Sequence, residues 1–161
     1  MTLPMTDRPR VRRTSPADEP LGAALRYDYA DAFEVTLPEG DRRSAEQILR
    51  AGLQGAPSAL RSTILVVHRH VLRFQLGPVT SSDHVLGWQI TMSEPDVARL
   101  ETSGPLTDAA LVARRIGERT ARLTTFVVFR RPTLARLVFP FVAPVHRRVA
   151  AYLMQRAASS H

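Results

Sequence analysis

Alternating hydrophobic and polar residues mark five stretches of the chain, and each alternation predicts a β-strand. A period of two residues is typical of a strand with one buried face. The first such stretch is Tyr27–Leu37, in which Phe33 and Val35 alternate with Glu34. The other four are residues 86–93, 97–102, 109–116 and 120–130. Only short turns separate these four stretches, so we expect them to pair antiparallel as a meander.

A period of three to four residues predicts helices in the remaining sequence. Ser44 and Gln47 have the spacing of a capping box, so a helix is expected to begin at Ser44 and to end by Gly55. A second helix is expected from Pro57, because apolar residues recur at helical spacing as far as Phe74. This amphipathic pattern predicts that one face of the second helix packs on the rest of the fold.

The longest helical pattern runs from Arg130 to Ala158. Pro140 and Pro144 each lack a backbone donor, so they predict a kink or a restart, with the regular helix beginning at about Pro144. One face of that part is expected to be buried and consists of Val145, Val149, Tyr152 and Leu153. His146 flanks this apolar face.

These elements fit one α+β domain over residues 26–158. Residues 1–25 are rich in Pro, Arg, Asp and Ser and have no apolar period. Such a segment buries too little apolar surface to offset the entropy of ordering, so disorder is predicted for it. The element order of the domain is strand, two helices, meander and long C-terminal helix.

From about Tyr27 to Ala158 this order resembles the helix-grip layout of the START-like, or SRPBCC, superfamily. The segments HVLGWQI, RLTTFVVFRRP and PVHRRVAAYLMQRA resemble an uncharacterised bacterial family in that superfamily, domain of unknown function 2867. The resemblance implies a curved antiparallel sheet around the long C-terminal helix, with a ligand cavity between them. The pattern contains fewer strands than a seven-stranded grip, so either the sheet is short or a strand in Gln75–Asp83 has escaped recognition.

The wider superfamily implies a class of ligand but no reaction. Its members bind lipids, sterols and polyketides, and some members cyclise or hydrate them. Because no catalytic residue set is shared across the superfamily, none can be assigned to this chain by resemblance. The catalytic residues, the ligand and the oligomeric state therefore stay open at this point.

The positive charge of the chain is typical of proteins that bind nucleic acids, but the types of its residues give another explanation for that charge. The net charge is +7 and the pI is about 11.2, as in many nucleic-acid-binding proteins. Every basic residue is Arg, however, and the chain contains neither Lys nor Asn. Both of those residues use AT-rich codons, so the composition indicates a high-GC genome. We expect no nucleic-acid partner.

Several other classes are excluded by what the sequence lacks. The chain has no Cys, which excludes disulfides and thiolate chemistry. No apolar run reaches the roughly 18 residues that span a bilayer, and no secretory signal is recognised, so the expected location is cytoplasmic. Neither a glycine-rich phosphate loop nor Gly-x-Ser-x-Gly is found, and no cofactor is expected. His68 and His70 are two residues apart and point to different faces of a helix, so no metal site is expected.

The candidate cavity residues are His146, Trp88, Tyr152, Arg114 and Arg122. His146 is interpreted as a polar group at the cavity wall, able to transfer a proton near neutral pH. Trp88 and Tyr152 are large enough to line the same cavity. Two readings of the arginines stay open: both lie on the outer face or rim of the sheet, or one points into the cavity and pairs with a ligand carboxylate.

Three functions remain open from the sequence. The leading hypothesis is a protein that binds a small, largely hydrophobic ligand between the sheet and the C-terminal helix. The alternative is an enzyme of the cyclase, dehydratase or isomerase type that uses His146 with an Arg in the same cavity. The third is an interaction module whose C-terminal helix packs on a partner. A cavity of a few hundred Å³ with one or two buried polar groups favours binding. A buried His–carboxylate contact in that cavity favours the enzyme, whereas a filled core with an exposed apolar patch favours the interaction module.

Overall fold

The structure, a computed structural model, describes residues 9–160 except for the side chain of Thr80. Within these residues it contains eight strands, which are β1 Val11–Thr14, β2 Tyr29–Thr36, β3 Thr80–Ser81, β4 His84–Val85, β5 Trp88–Glu94, β6 Val97–Ser103, β7 Thr107–Ile116 and β8 Thr120–Phe129. The α-helices of the same residues are α1 Ala45–Leu53, α2 Ser58–Val66 and α3 Pro132–Ser159. The class is α+β, as the sequence predicts.

The strands form one open antiparallel sheet in the order β1-β2-β8-β7-β6-β5-β4-β3. The strands from β3 to β8 form a meander, and β2 returns to pair with β8 along its whole length. All five predicted strands are present, with ends shifted by one or two residues. The stretch Gln75–Asp83 does contain a further strand, β3, and β4 follows it. Each of these two strands has only two residues, which is too short for a period of two to be recognised.

Residues 9–25, for which the sequence predicts disorder, have backbone pairing and ion pairs in the structure. Strand β1 pairs with β2, and Arg12 lies 2.6 Å from the carboxylate of Glu34. Further along, the Glu19 side chain is buried and lies 2.7 Å from Arg114. Backbone pairing and ion pairs hold this segment in place. Neither kind of contact requires a periodic pattern of hydrophobic residues in the sequence. Residues 1–8, which the same prediction covers, lie outside the described part of the chain.

Helix α1 begins as predicted, and α2 does not extend as predicted. Ser44 and Gln47 form both hydrogen bonds of the capping box. Gly52 allows α1 to lie close to α3, since a Cβ there would be 2.9 Å from the carbonyl oxygen of Leu153. Helix α2 ends at Val66 and continues as a π-helical turn, Val67–Val71. No residue of α2 is buried, so the prediction of a packed amphipathic helix to Phe74 is wrong.

Helix α3 is continuous for 28 residues and passes through both internal prolines. The predicted restart at Pro144 is therefore wrong, while the predicted kink stays a prediction. Pro140 and Pro144 are exposed, so the carbonyl groups that they leave without a helical donor face solvent.

The predicted buried face of α3 is right for Leu153, which is 6% exposed, and wrong for two of its other members. Val145 is 61% exposed and Tyr152 is 39% exposed. The buried positions are mostly alanines and consist of Ala135, Phe139, Ala143, Ala150, Leu153, Met154, Ala157 and Ala158. Alanine carries little hydrophobic signal, yet its small side chain lets a helix approach a sheet closely. His146 falls on this same buried side, between Ala143 and Ala150.

The core lies between α1, α3 and one face of the sheet, which we name the inner face. Phe33, Val35, Leu100, Leu111 and Leu123 are central members of this core. The opposite, or outer, face carries a smaller apolar cluster around Phe126, which Leu21 and Leu25 of the N-terminal segment cover. No helix in the described part of the chain is long and apolar enough to cross a membrane.

Candidate functional site

A buried carboxylate lies on the apolar inner face of the sheet. Asp31 follows the same alternation as Phe33 and Val35, and it is 1% exposed. The pairing of β2 with β8 places Asp31 directly opposite Thr125. Cross-strand partners lie side by side on one face of a sheet, so register alone brings these two polar groups together. A charged residue in this position needs a partner, because burial of an unpaired charge is costly.

Helix α3 supplies that partner through His146. The Nε2 atom of His146 lies 3.3 Å from Oδ2 of Asp31 and 3.1 Å from Oγ1 of Thr125. An ionised carboxylate can only accept hydrogen bonds, so Nε2 carries a proton toward Asp31. In the neutral imidazole Nδ1 is then the acceptor. About 29% of the His146 side chain is exposed, whereas none of the Asp31 side chain is.

Tyr29 and Arg147 complete this group of side chains. The hydroxyl of Tyr29 donates to Oδ2 of Asp31 at 2.6 Å. Nε of Arg147 donates to the Tyr29 oxygen at 3.2 Å, and its guanidinium lies over the tyrosine ring. We name Tyr29, Asp31, Thr125, His146 and Arg147 the inner-face cluster.

The inner-face cluster shifts the pKa values of its acidic members in opposite directions. Burial raises the pKa of Tyr29, and its hydrogen bond to Asp31 raises it further, to about 12 despite the guanidinium of Arg147. Burial also acts to raise the pKa of Asp31. The hydrogen bond and the positive charge of His146, with the hydroxyls of Tyr29 and Thr125, outweigh burial and hold that pKa below its usual range. At neutral pH Tyr29 therefore stays a donor, and Asp31 stays an anion.

Two aromatic residues hold a second histidine, His68 of the π-helical turn. Nε1 of Trp88 donates to Nδ1 of His68 at 3.3 Å, and the ring of Phe74 lies 5.4 Å from the imidazole. Burial lowers the pKa of His68, and the charge of His146 lowers it further, to about 4. His68 is thus a neutral histidine, and it lies within electrostatic range of the inner-face cluster.

The structure separates the five candidate cavity residues that the sequence suggests. His146 belongs to the inner-face cluster, and Trp88 is buried against His68. The Tyr152 hydroxyl accepts from Arg156, whose guanidinium also covers the ring. Arg114 and Arg122 lie on the outer face, where Glu19 and Glu34 bind them. The reading that placed both arginines on the outer face is the one that matches this geometry.

A concavity lies on the outer face, away from the expected position. Its volume is about 680 Å³. Phe126, Val128 and Ala110 are apolar members of its lining, and Arg99 and Glu101 supply charged groups. These two charged side chains pair at 2.7 Å. Between α1, α3 and the inner face, in contrast, Ile48, Leu49 and Met154 line a space of only about 10 Å³.

Sequence reasoning missed Tyr29, Asp31 and Thr125. All three share strand parity with core residues: Tyr29 and Asp31 precede Phe33 at intervals of two, and Thr125 lies between Leu123 and Val127. The signal that could have identified these residues is a polar residue at a position where the alternation of the strand predicts an apolar one.

The inner-face cluster can hold and move a proton. Asp31 orients the ring of His146 through Nε2, which leaves Nδ1 as the nitrogen that can accept a proton from a bound molecule. Among residues 9–160, no group of three or more His, Asp or Glu side chains is placed to hold a metal ion.

Comparison of the chain with protein-family models, curated proteins and solved structures finds no match.

Proposed function

We propose that this protein is a START-like, helix-grip enzyme that uses the inner-face cluster for acid–base catalysis on a small molecule. The fold supports the first part. Strands β2 to β8 give seven strands in the order β2-β8-β7-β6-β5-β4-β3, with two helices after β2 and a long helix after β8. This order supports the helix-grip proposal, in which β1 would be an addition at the edge of the sheet.

The observation that carries the catalytic part is the contact between His146 and the buried carboxylate of Asp31, at 3.3 Å. The buried carboxylate needs a partner for its charge, and here that partner is an imidazole, a group that can also act as a general base. In other acid–base sites a carboxylate orients the histidine that acts as the base. We assign these two roles to Asp31 and His146. Arg147, which reaches the same carboxylate through Tyr29, supplies positive charge beside it.

The proposed reaction class is proton abstraction or return, as in a dehydratase, an isomerase or a cyclase. Nδ1 of His146 takes a proton from the ligand, and the imidazolium is stabilised by Asp31. The ligand reaches the imidazole at its exposed edge, since Asp31 itself is buried. The proposed substrate is a small molecule that binds at this exposed edge.

A probe substrate tests for the base without knowledge of the natural ligand. Nitrobenzisoxazole loses a C–H proton to a general base, its N–O bond breaks, and a coloured cyanophenolate is released. We expect the protein to accelerate this elimination and His146→Gln to slow it by about tenfold or more. Asp31→Asn is expected to slow it less, because Asn still orients the ring but adds no charge.

The matched control is His70→Gln. His70 is an exposed imidazole on the π-helical turn, outside the inner-face cluster. This variant should retain the full rate. Equal rates for the unmodified protein, His146→Gln and His70→Gln would show that His146 is not a general base, and the proposal would fail.

A second candidate function is ligand binding without catalysis in the outer-face concavity. Its volume of about 680 Å³ lies in the range of drug-sized pockets, and its lining combines apolar residues with the Arg99–Glu101 pair. Anilinonaphthalene sulfonate, which fluoresces in apolar surroundings and carries an anionic group, is a suitable probe. Val128→Trp should lower its binding, and His146→Gln should leave it unchanged. Equal binding by Val128→Trp and the unmodified protein would contradict this candidate.

A further inference from the structure

Helix α3 carries a continuous apolar stripe on the side that faces away from the sheet. The stripe consists of Leu134, Leu137, Phe141 and Val145, which are 43, 66, 79 and 61% exposed. At about 100° per residue these four positions fall within an arc of about 80°, nearly opposite the buried alanine face. Single exposed apolar residues are ordinary on protein surfaces. A row of four on one helix marks an interaction surface.

Arginines bracket this stripe, and acidic residues are missing from the helix. Arg131 precedes Leu134 by three residues, and Arg148 follows Val145 by three, so each lies close to the line of the stripe. Both arginines are exposed. Glu118 is the last acidic residue of the chain, so α3 contains no carboxylate. Helix α3 therefore combines this apolar stripe with positively charged side chains and carries no negatively charged ones.

We propose that the α3 stripe binds the surface of an anionic lipid membrane. Leu137 and Phe141 would enter the boundary between headgroups and acyl chains, and Arg131 and Arg148 would reach lipid phosphates at either end. The helix lies along the surface, because the rest of α3 packs on the sheet. Binding of this kind is distinct from catalysis by the inner-face cluster and does not rest on the proposed function.

The charge distribution favours a lipid over a second copy of the chain. Two antiparallel stripes would place Arg131 of one copy near Arg148 of the other, and two parallel stripes would place like arginines together. Either pairing brings positive charges into an apolar contact without compensating carboxylates. A nucleic acid would satisfy the arginines and leave Leu137 and Phe141 without an apolar partner.

Co-sedimentation with lipid vesicles tests this proposal. We expect binding to vesicles of equal parts phosphatidylcholine and phosphatidylglycerol, and much weaker binding to phosphatidylcholine alone. The double variant Leu137→Gln/Phe141→Gln should lose about tenfold or more in affinity, because the apolar contribution is removed. Arg131→Gln/Arg148→Gln should lose about tenfold on the anionic vesicles and become less sensitive to salt.

Ile116→Gln is the matched control. Ile116 is an exposed apolar residue, 37% exposed, at the end of β7. This variant should bind vesicles as the unmodified protein does, and far-UV circular dichroism should show an unchanged fold for all variants. Equal binding to both vesicle types, or full binding by Leu137→Gln/Phe141→Gln, overturns the proposal. A dimer that Leu137→Gln/Phe141→Gln dissociates, with no vesicle binding, would assign the stripe to a second copy instead.

Discussion

Carboxylates on the outer face of the sheet are bound by arginines, whereas the buried carboxylate of the inner face is bound by a histidine. Glu19 binds Arg114, and Glu34 binds both Arg12 and Arg122. Arginine stays charged over the whole working pH range, so these pairs hold strands and the N-terminal segment together without changing state. Histidine gains and loses a proton near neutral pH. The proposed catalysis therefore uses the face on which the partner of the buried carboxylate is a histidine.

Among the ion pairs of the outer face, a buried pair should contribute more to the free energy of unfolding than an exposed pair. Glu19→Ala removes a carboxylate whose side chain is fully buried and leaves Arg114 without its bidentate partner. We expect a loss of about 3 kcal/mol in the free energy of unfolding, measured by urea denaturation.

The comparison for this variant is Glu101→Ala on the same face. Glu101 is 42% exposed and pairs with Arg99. An exposed pair contributes little, so the expected loss is under about 1 kcal/mol. Equal losses for Glu19→Ala and Glu101→Ala would mean that burial of the ion pair does not set its contribution.

The next largest effect is a dependence of stability on pH that comes from His68. Its pKa is about 4 in the folded protein and about 6.5 in the unfolded chain. As the pH falls below 6.5, His68 becomes protonated in the unfolded chain while it stays neutral in the folded protein. The free energy of unfolding therefore decreases until about pH 4. By pH 5 the loss should be about 2 kcal/mol. Urea denaturation of His68→Gln at pH 7 and pH 5 should show a smaller decrease, because Gln does not titrate.

The smallest of the three effects on stability is expected for Asp31→Asn. Asn keeps a hydrogen-bond acceptor for Tyr29 and loses the charge, so we expect about 1 kcal/mol of destabilisation at pH 7. The folded-state pKa of Asp31 is lowered, so its contribution is present above about pH 4 and is lost as the pH falls through that pKa. The difference between Asp31→Asn and the unmodified protein should therefore shrink under acid conditions. A difference that grows on acidification would contradict an ionised Asp31.

The sequence predicts most of the fold because its strands and helices carry local signals. The meander alternates with a period of two, and the Ser44–Gln47 capping box fixes the start of α1. The N-terminal segment could not be predicted in this way. Strand β1 has no apolar period, and it is ordered through pairing with β2 and through the contact of Arg12 with Glu34. Such contacts join residues far apart in sequence.

The candidate site was predictable only in part. His146 stood out because it lies beside an apolar helical pattern. Its partner could not be identified from α3, since Asp31 lies more than a hundred positions earlier and is brought to it by the packing of α3 on β2. The expected burial of Val145 and Tyr152 was wrong because alanines form the packed side of α3. A hydrophobicity pattern identifies the positions of large apolar residues. It does not identify the positions at which small residues such as alanine allow a helix to pack closely.

Nitrogen NMR of the His146 imidazole tests most directly whether Asp31 holds this histidine ready to accept a proton. In uniformly labelled protein at a pH where the ring is neutral, long-range proton–nitrogen correlations distinguish the protonated nitrogen from the unprotonated one. We expect Nε2 to carry the proton and Nδ1 to be free of it, with a clear change in the Nε2 shift in Asp31→Asn. A ring protonated at Nδ1, or an Nε2 signal that Asp31→Asn leaves unchanged, would contradict the proposed pairing.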